Sequence, residues 1–309
     1  MEKVLIFADP GVDDGFALLY ALNHPDITVT GIVADYGNVS QEDALKNITF
    51  LLDLTDQQQI PVIVGAKRPL SGNPPEYFYD IHGVHGLGFV VPDKCIQRIH
   101  PFQKIYQIID QYRSELTIIS LARLTSLALA FIQAESNVTK VKQTLLMGGA
   151  FLVPGNRTPL AEANIYGDPH AAATVISNSR NTTLLPLNVS NRAIVPDHMI
   201  ESIAKQASGP YSSILIPMIR YYSKQYEKIL PDAGGAPLHD LIVFSYLMHP
   251  EHYQVVHKQV EVVTAGPSKG LTYADFRAAP EKVPGSPVHT IALDFNKELF
   301  LDDIMKVLA

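Results

Sequence analysis

Three carboxylates stand within the run Asp9-Pro10-Gly11-Val12-Asp13-Asp14. The run follows an apolar, strand-like stretch, Val4 to Ala8, and precedes a helix-like one, Phe16 to Leu22. Acids this close at the end of a buried strand repel one another and lose hydration. A bound cation compensates both costs, and carboxylate oxygens are hard ligands that favour Ca²⁺ or Mg²⁺ over zinc. Two structural readings compete. Asp13 and Asp14 suit a helix N-terminus, where acids complement the macrodipole, and Asp-Pro-Gly suits an ordinary turn. The spacing is not that of an EF-hand, which needs acids at alternating loop positions, a mid-loop Gly and a late Glu.

Two later segments carry similar chemistry. Pro237-Leu238-His239-Asp240 stands directly before an apolar helical run, Leu241 to Met248. Asp240 there is either a helix cap or a further cation ligand, with His239 beside it as a proton donor, since histidine titrates near neutral pH. In Glu162-Ala163-Asn164 the two polar residues are two apart, which in an extended segment points them to one side, towards a diol. The competing reading is a loop capped by Asp168 ahead of Pro169. Tyr222 and Tyr226 are four apart and share a helical face, either packing or stacking on a ligand.

The elements that must position these groups are short. Strands are expected at Val4–Ala8, Val29–Ala34, Val62–Val64, Leu116–Ser120, Gln143–Met147, Asn181–Pro186 and Gln259–Val263. Helices are expected at Gly15–Leu22, Ser40–Leu54, Phe102–Arg113, Leu124–Ala134 and Pro169–Ser177. Strands alternating with helices imply an α/β fold with a doubly wound, mostly parallel open sheet, Rossmann-like and flanked by helices. In such sheets ligands bind beyond the carboxyl ends of the strands. The acidic run, Gly37-Asn38 and Met147-Gly148-Gly149 all follow strand candidates and so belong at one rim. Residues 71–93, with His82 and His85, read as a long lid-like loop. Residues 207–238 read as a small helical extension closed by a Gly234-Gly235 turn.

The chain of 309 residues is expected to form a single domain, 1–309, because no linker interrupts it. Its net charge of -7 argues against nucleic acid as a partner, because phosphate binding needs a basic face. Lys67-Arg68 is a single pair and reads as solvated loop. Cys95 is the only cysteine, expected as a small buried thiol, and leaves no intrachain disulfide. No signal-like or membrane-length apolar run is visible, so the expected compartment is the cytoplasm and no membrane partner is expected.

These residues resemble the inosine–uridine-preferring nucleoside hydrolase family. The matching segments are Asp9-Pro-Gly-x-Asp-Asp14, Gly37-Asn38-Val39-Ser40, His82-Gly83-x-x-Gly86-Leu87-Gly88, Leu124-Thr125-x-Leu127-Ala128-Leu129-Ala130, Met147-Gly-Gly-Ala-Phe151, Gly155-Asn156, Glu162-x-Asn164-x-Tyr166-x-Asp168-Pro169 and His239-Asp240. They occur in the family's order over nearly the whole chain. The resemblance implies hydrolysis of the N-glycosidic bond of a ribonucleoside to base and ribose, with Ca²⁺ at the base of the pocket. It implies Asp9, Asp14 and Asp240 as carboxylate ligands and the carbonyl of Thr125 as a main-chain ligand. Asp13 matches a ribose-binding acid. Asn38, Met147, Asn156, Glu162 and Asn164 match residues around the sugar. The implied chemistry is attack on the anomeric carbon by a water that the cation acidifies, with Asp9 as base and an oxocarbenium-like transition state. His239 is the first candidate for protonating the leaving base and His82 the second, with Tyr222 and Tyr226 as stacking or relay groups. A homo-oligomer, dimer or tetramer, is expected on the resemblance alone.

The chain departs from the family pattern at several positions. Phe7 stands where many relatives carry a further Asp, and Ala122-Arg123 replaces a common Gly-Pro. Ser126 replaces an Asn, Asn188 stands where Asp is frequent, and Ala163 replaces a bulkier aromatic. None removes an implied carboxylate ligand; the departures bear on substrate range, and a shifted ribosyl substrate or a non-catalytic nucleoside sensor are the competing functions.

Overall fold

The computed structural model describes residues 1–93, 99–281 and 283–309, and the expectation for Cys95 lies outside them. The strands run β1 Glu2–Ala8, β2 Ile27–Ala34, β3 Val62–Val64, β4 Ile99–His100, β5 Leu116–Ser120, β6 Gln143–Met147, β7 Thr182–Leu185, β8 Ile194–Pro196, β9 Gly235–Pro237, β10 Tyr253–Lys258, β11 Val260–Val262, β12 Thr272–Ala274 and β13 His289–Phe295. The helices run α1 Val12–Asn23, α2 Gln41–Leu54, α3 Tyr79–His82, α4 Lys104–Tyr112, α5 Thr125–Val138, α6 Ala163–Gly167, α7 Pro169–Asn178, α8 Leu187–Ser190, α9 Asp197–Gln206, α10 Ser212–Tyr226, α11 Leu241–Met248 and α12 Lys297–Leu308.

Among the described residues, nine strands form one sheet in the order β10-β13-β7-β6-β5-β1-β2-β3-β4. All neighbours pair in parallel except β10 and β13, which are antiparallel. The expected open, mostly parallel sheet is therefore present. Its central strands are apolar on both faces because helices cover both: Val4, Ile6 and Ala8 of β1 pack into one cluster and Leu5 and Phe7 into another. Phe7 fills this second cluster, so hydrocarbon takes the place of the acid expected there in relatives.

From β1 the chain winds outward through β2 to β4, then returns to lay β5 against the other side of β1. The direction of winding reverses between β1 and β5. A crevice opens at such a point beyond the strands' carboxyl ends. Asp9 leaves β1 there, and Thr125 follows β5.

Three expectations differ from the structure. Val260–Val262 does not join the main sheet; it pairs antiparallel with Thr272–Ala274 in a two-stranded ribbon. One residue separates it from β10, too short a link for a parallel crossover, whereas a hairpin can close through Gly266 and Gly270, both at positive φ. Glu162 and Asn164 do not lie in an extended segment: Glu162 caps α6 and Asn164 lies within it. The helix expected to end at Ala134 reaches Val138, with non-helical φ/ψ at Ala134 itself. The extension at 207–238 is largely α10, and Gly235 opens strand β9.

Candidate active site

The acidic run folds as the helix N-terminus reading expects. Asp13 and Asp14 occupy the first turn of α1, and Asp14 Oδ2 accepts the Gly11 N–H at 3.0 Å as a helix cap. Asp14 also accepts from the Asp9 N–H at 3.3 Å and the Asn38 amide at 2.8 Å. The Asn38 backbone N–H donates to Asp9 Oδ2 at 2.7 Å, so the turn after β2 fixes both carboxylates. Gly37 permits this approach: a Cβ there would lie 1.7 Å from Asp9 Oδ2.

Asp240 arrives from the other end of the chain at the start of α11, and its side chain caps nothing. Side-chain oxygens of Asp13, Asp14 and Asp240 lie within 4.8 Å of one another, all buried. Asp9 joins this group through Asp14 and Asn38 rather than as a member of the close triad. Burial first, and then neighbouring negative charge, raises Asp9 and Asp240 well above the usual carboxylate range and lifts Asp13 to about 8. Burial raises Asp14 too, against the hydrogen bonds it accepts.

At neutral pH such a cluster needs either bound protons or compensating positive charge. Asp9 Oδ1 and Asp13 Oδ1 are buried without a hydrogen-bond partner, a costly condition that a coordinated cation relieves. The donor set is all oxygen, so the residues fit a hard divalent ion. Thr125, expected to offer its carbonyl, heads α5 beside the crevice. Its hydroxyl is engaged with Asp168 at 2.7 Å and Tyr36 at 2.9 Å.

Above the acids lies a cavity of about 420 Å³, within the range of small-molecule sites. Asp13 and Asp240 form part of its floor, and Asn38, Met147, Asn156, Glu162 and Asn164 line it. Glu162 accepts the N–H groups of Asn164, Ile165 and Gly149 at 2.8, 3.1 and 3.1 Å. These bonds hold its carboxylate while burial raises its pKa. The Asn164 amide donates to the carbonyls of Leu121 and Met147, and Asn156 Oδ1 accepts the Ala163 N–H. Asp168 caps α7 through the Ala171 N–H at 3.1 Å, as the capped-loop reading expects, and lies outside this cavity.

His239, His82, Tyr222 and Tyr226 form an aromatic wall of the same cavity. His239 Nε2 lies 2.9 Å from the Tyr226 hydroxyl and its Nδ1 lies 3.0 Å from Ser190 Oγ. Burial lowers His239 to about 4, so its imidazole is neutral at neutral pH and not the cation its residue type suggested. His82 lies 3.6 Å from Asp13, yet its Nδ1 accepts the Val12 N–H at 3.1 Å and burial lowers it to about 3. A neutral acceptor nitrogen cannot form an ion pair, so His82 is a packed hydrogen-bond acceptor. Loop residue His85 is exposed, as expected of a surface position.

Several wall residues had no sequence signal. Asn191, just after α8, lines the cavity, and Ser190, the last residue of α8, lies buried behind His239. Phe78 and Leu121 are apolar loop or strand-end residues, and Ile81 lies in the short helix α3. Ile229 and Leu230 stand three and four residues after Tyr226, and that helical spacing was a usable signal. Asp35 is buried below Asp9, accepts from Ser126 Oγ and from the Ala66 N–H, and is raised to about 7 by burial.

Comparisons with known proteins agree with this geometry. The family model described as inosine-uridine preferring nucleoside hydrolase matches residues 4–302. A curated protein called uridine nucleosidase 1 from Arabidopsis thaliana is 32% identical over 277 residues, covering 89% of this chain and 82% of its own length. A pyrimidine-specific ribonucleoside hydrolase RihA from Klebsiella pneumoniae is 29% identical, covering 99% of this chain and 98% of its own. A solved plant nucleoside hydrolase, PpNRh1, superimposes with a TM-score of 0.92 at 28% identity, covering 99% of this chain and 98% of that one. A purine-preferring ribonucleoside hydrolase from Gardnerella vaginalis gives 0.91 at 25% identity, covering 99% and 98%. With the matched family model spanning nearly its full length, the chain belongs to the inosine-uridine preferring nucleoside hydrolase family of N-glycosidases.

Proposed function

We propose that this enzyme hydrolyses the N-glycosidic bond of ribonucleosides in a Ca²⁺-dependent reaction, releasing a free base and ribose. The observation that carries the reading is the buried carboxylate group Asp13, Asp14 and Asp240, adjoined by Asp9 through Asp14 and Asn38, beneath a cavity sized for a nucleoside. Asp9, Asp14, Asp240 and the Thr125 carbonyl would hold the ion. When bound, Ca²⁺ supplies charge that acidifies and orients a water beside the sugar.

The chain's own groups do the rest. Asp9, with Oδ2 tied to Asn38 and Oδ1 unpartnered, takes the proton from the attacking water. Asp13 accepts from a ribose hydroxyl, and Asn164 and Glu162 line the cavity in which charge develops as the base departs. The Tyr226–His239–Ser190 chain presents a hydrogen-bond donor to the leaving base, its proton passing through a neutral imidazole. Because the diol would meet Asp13 and the ion, ribose is required over 2′-deoxyribose. The inferred setting is a cytoplasmic homo-oligomer in nucleoside salvage with residues 1–309 as one domain, of which the oligomer and the salvage role extend from the family resemblance.

The test is a reducing-sugar assay on uridine, cytidine and inosine, with their 2′-deoxy counterparts. Ribose release that stops with chelator and returns with Ca²⁺ is expected, with little turnover of the deoxy compounds. Tight binding of nucleosides without release would instead make the protein a sensor. Equal turnover of deoxy substrates would remove the proposed role of the diol.

A further inference from the structure

We propose that the enzyme also accepts ribonucleosides phosphorylated at C5′, seating the phosphate in a second, cation-lined cavity beside the sugar; this rests on the hydrolase reading above. That cavity, about 280 Å³, is lined by Arg123, Arg157 and Lys269. It meets the nucleoside pocket along Phe78 and Ala163, which line both. At Ala163 a methyl group is the entire side-chain partition.

Arg123 is a fixed cation. It is only 3% exposed, and its guanidinium lies over the rings of Tyr36 and Phe78 at 5.0 and 5.8 Å. Its Nη2 donates to the Glu76 carbonyl at 2.5 Å. Gly167 makes the room: a Cβ there would sit 2.3 Å from Arg123 Nε. Arg157 and Lys269 flank the Tyr166 ring, at 5.2 and 4.6 Å from its centre. Two carboxylates face the cavity, and both are engaged. Glu76 pairs with Arg157, and Asp168 accepts from Leu70, Thr125 and Ala171. Three cations against two carboxylates leave a local positive excess in a chain of net charge -7. A planar guanidinium in a walled cavity suits phosphate oxygens.

The sugar's geometry connects the two cavities. With its diol on the acidic floor and its base against Tyr226 and His239, C1′ is committed to the aromatic wall. C4′ lies across the ring oxygen from C1′, so C5′ projects away from the aromatic wall, and the lining shared by the two cavities, Phe78 and Ala163, is where a group on C5′ would pass from one to the other. The chemistry is unchanged: a water oxygen bonds to C1′, the C1′–N bond breaks with its electron pair going to the base, and the base is protonated. The phosphate ester stays intact, so the products are base and ribose 5-phosphate.

The experiment measures kcat/KM for uridine, inosine and their 5′-monophosphates with the full-length enzyme and Ca²⁺, and identifies the sugar product by mass. The nucleotide-to-nucleoside ratio is expected at or above one. In Arg157→Ala and in Lys269→Ala, whose side chains are partly solvent-exposed, that ratio should fall about tenfold, the loss of one charged hydrogen bond. Turnover of nucleosides with nucleotides more than about a hundredfold poorer would overturn the inference and leave the hydrolase reading intact. An unchanged ratio in both variants would overturn it as well. Release of base from neither class would sink the hydrolase reading and the inference together.

Discussion

Asp9 is held by one oxygen and left open at the other, which is the condition a general base needs. Its Oδ2 is fixed by the Asn38 N–H, while Oδ1 has no protein partner. Asp9→Ala should lower kcat by about a hundredfold to ten-thousandfold at saturating Ca²⁺, and turnover within tenfold of wild type would remove Asp9 from that role. At this scale much of the site was legible. The acids were readable as a candidate site because three carboxylates follow a buried strand, although that segment alone fits a helix N-terminus or a turn equally well, and Asp240 because it precedes an apolar helix beside a histidine. The state of the histidines was not legible. Residue type suggests a titrating imidazole, whereas burial sets His239 at about 4 and His82 at about 3, and burial is a property of the fold. Ser190, which supports His239, was invisible for the same reason: its neighbour is 49 positions away.

The turn after β2 does as much for the site as any helix. Gly37 lies so close to Asp9 that a methyl group cannot be added without moving the carboxylate, and the next residue donates to both Asp9 and Asp14. Gly37→Ala is therefore expected to weaken Ca²⁺ affinity and activity together, read by calcium titration and ribose release. Wild-type affinity in this variant would show that the turn does not set the cage. The central strands were legible from their continuous apolar runs, and Ser40 marked the start of α2, where its hydroxyl accepts the Asp43 N–H at 3.1 Å. The edge was harder. β10 is half exposed and β13 mixes His, Thr and Asp among its apolar residues, so neither shows a buried-strand pattern. Glu162 misled because its carboxylate folds back to cap α6, a local bond that the two-residue spacing does not reveal.

Across the whole molecule, the acidic floor makes stability depend on pH, and the proposed cation would couple to the same groups. Asp13 is raised to about 8, and Asp9, Asp14 and Asp240 are raised too, by burial above all. Without a cation, the folded state binds more protons than the unfolded one, whose carboxylates titrate near about 4. Stability from these groups is then complete below that value and is lost as pH rises towards their folded values. Chelated protein should melt at a higher temperature at pH 5.5 than at pH 8, and the melting-temperature gain from Ca²⁺ should shrink on acidification as protons compete for the same oxygens. A gain independent of pH would show that the ion binds elsewhere. The carboxylates also lie at both ends of the polypeptide, Asp14 after the first strand and Asp240 after the ninth. A growing chain on the ribosome therefore has no complete acidic cluster until most of its length has emerged, so the proposed cation would find its site only after early and late segments have met.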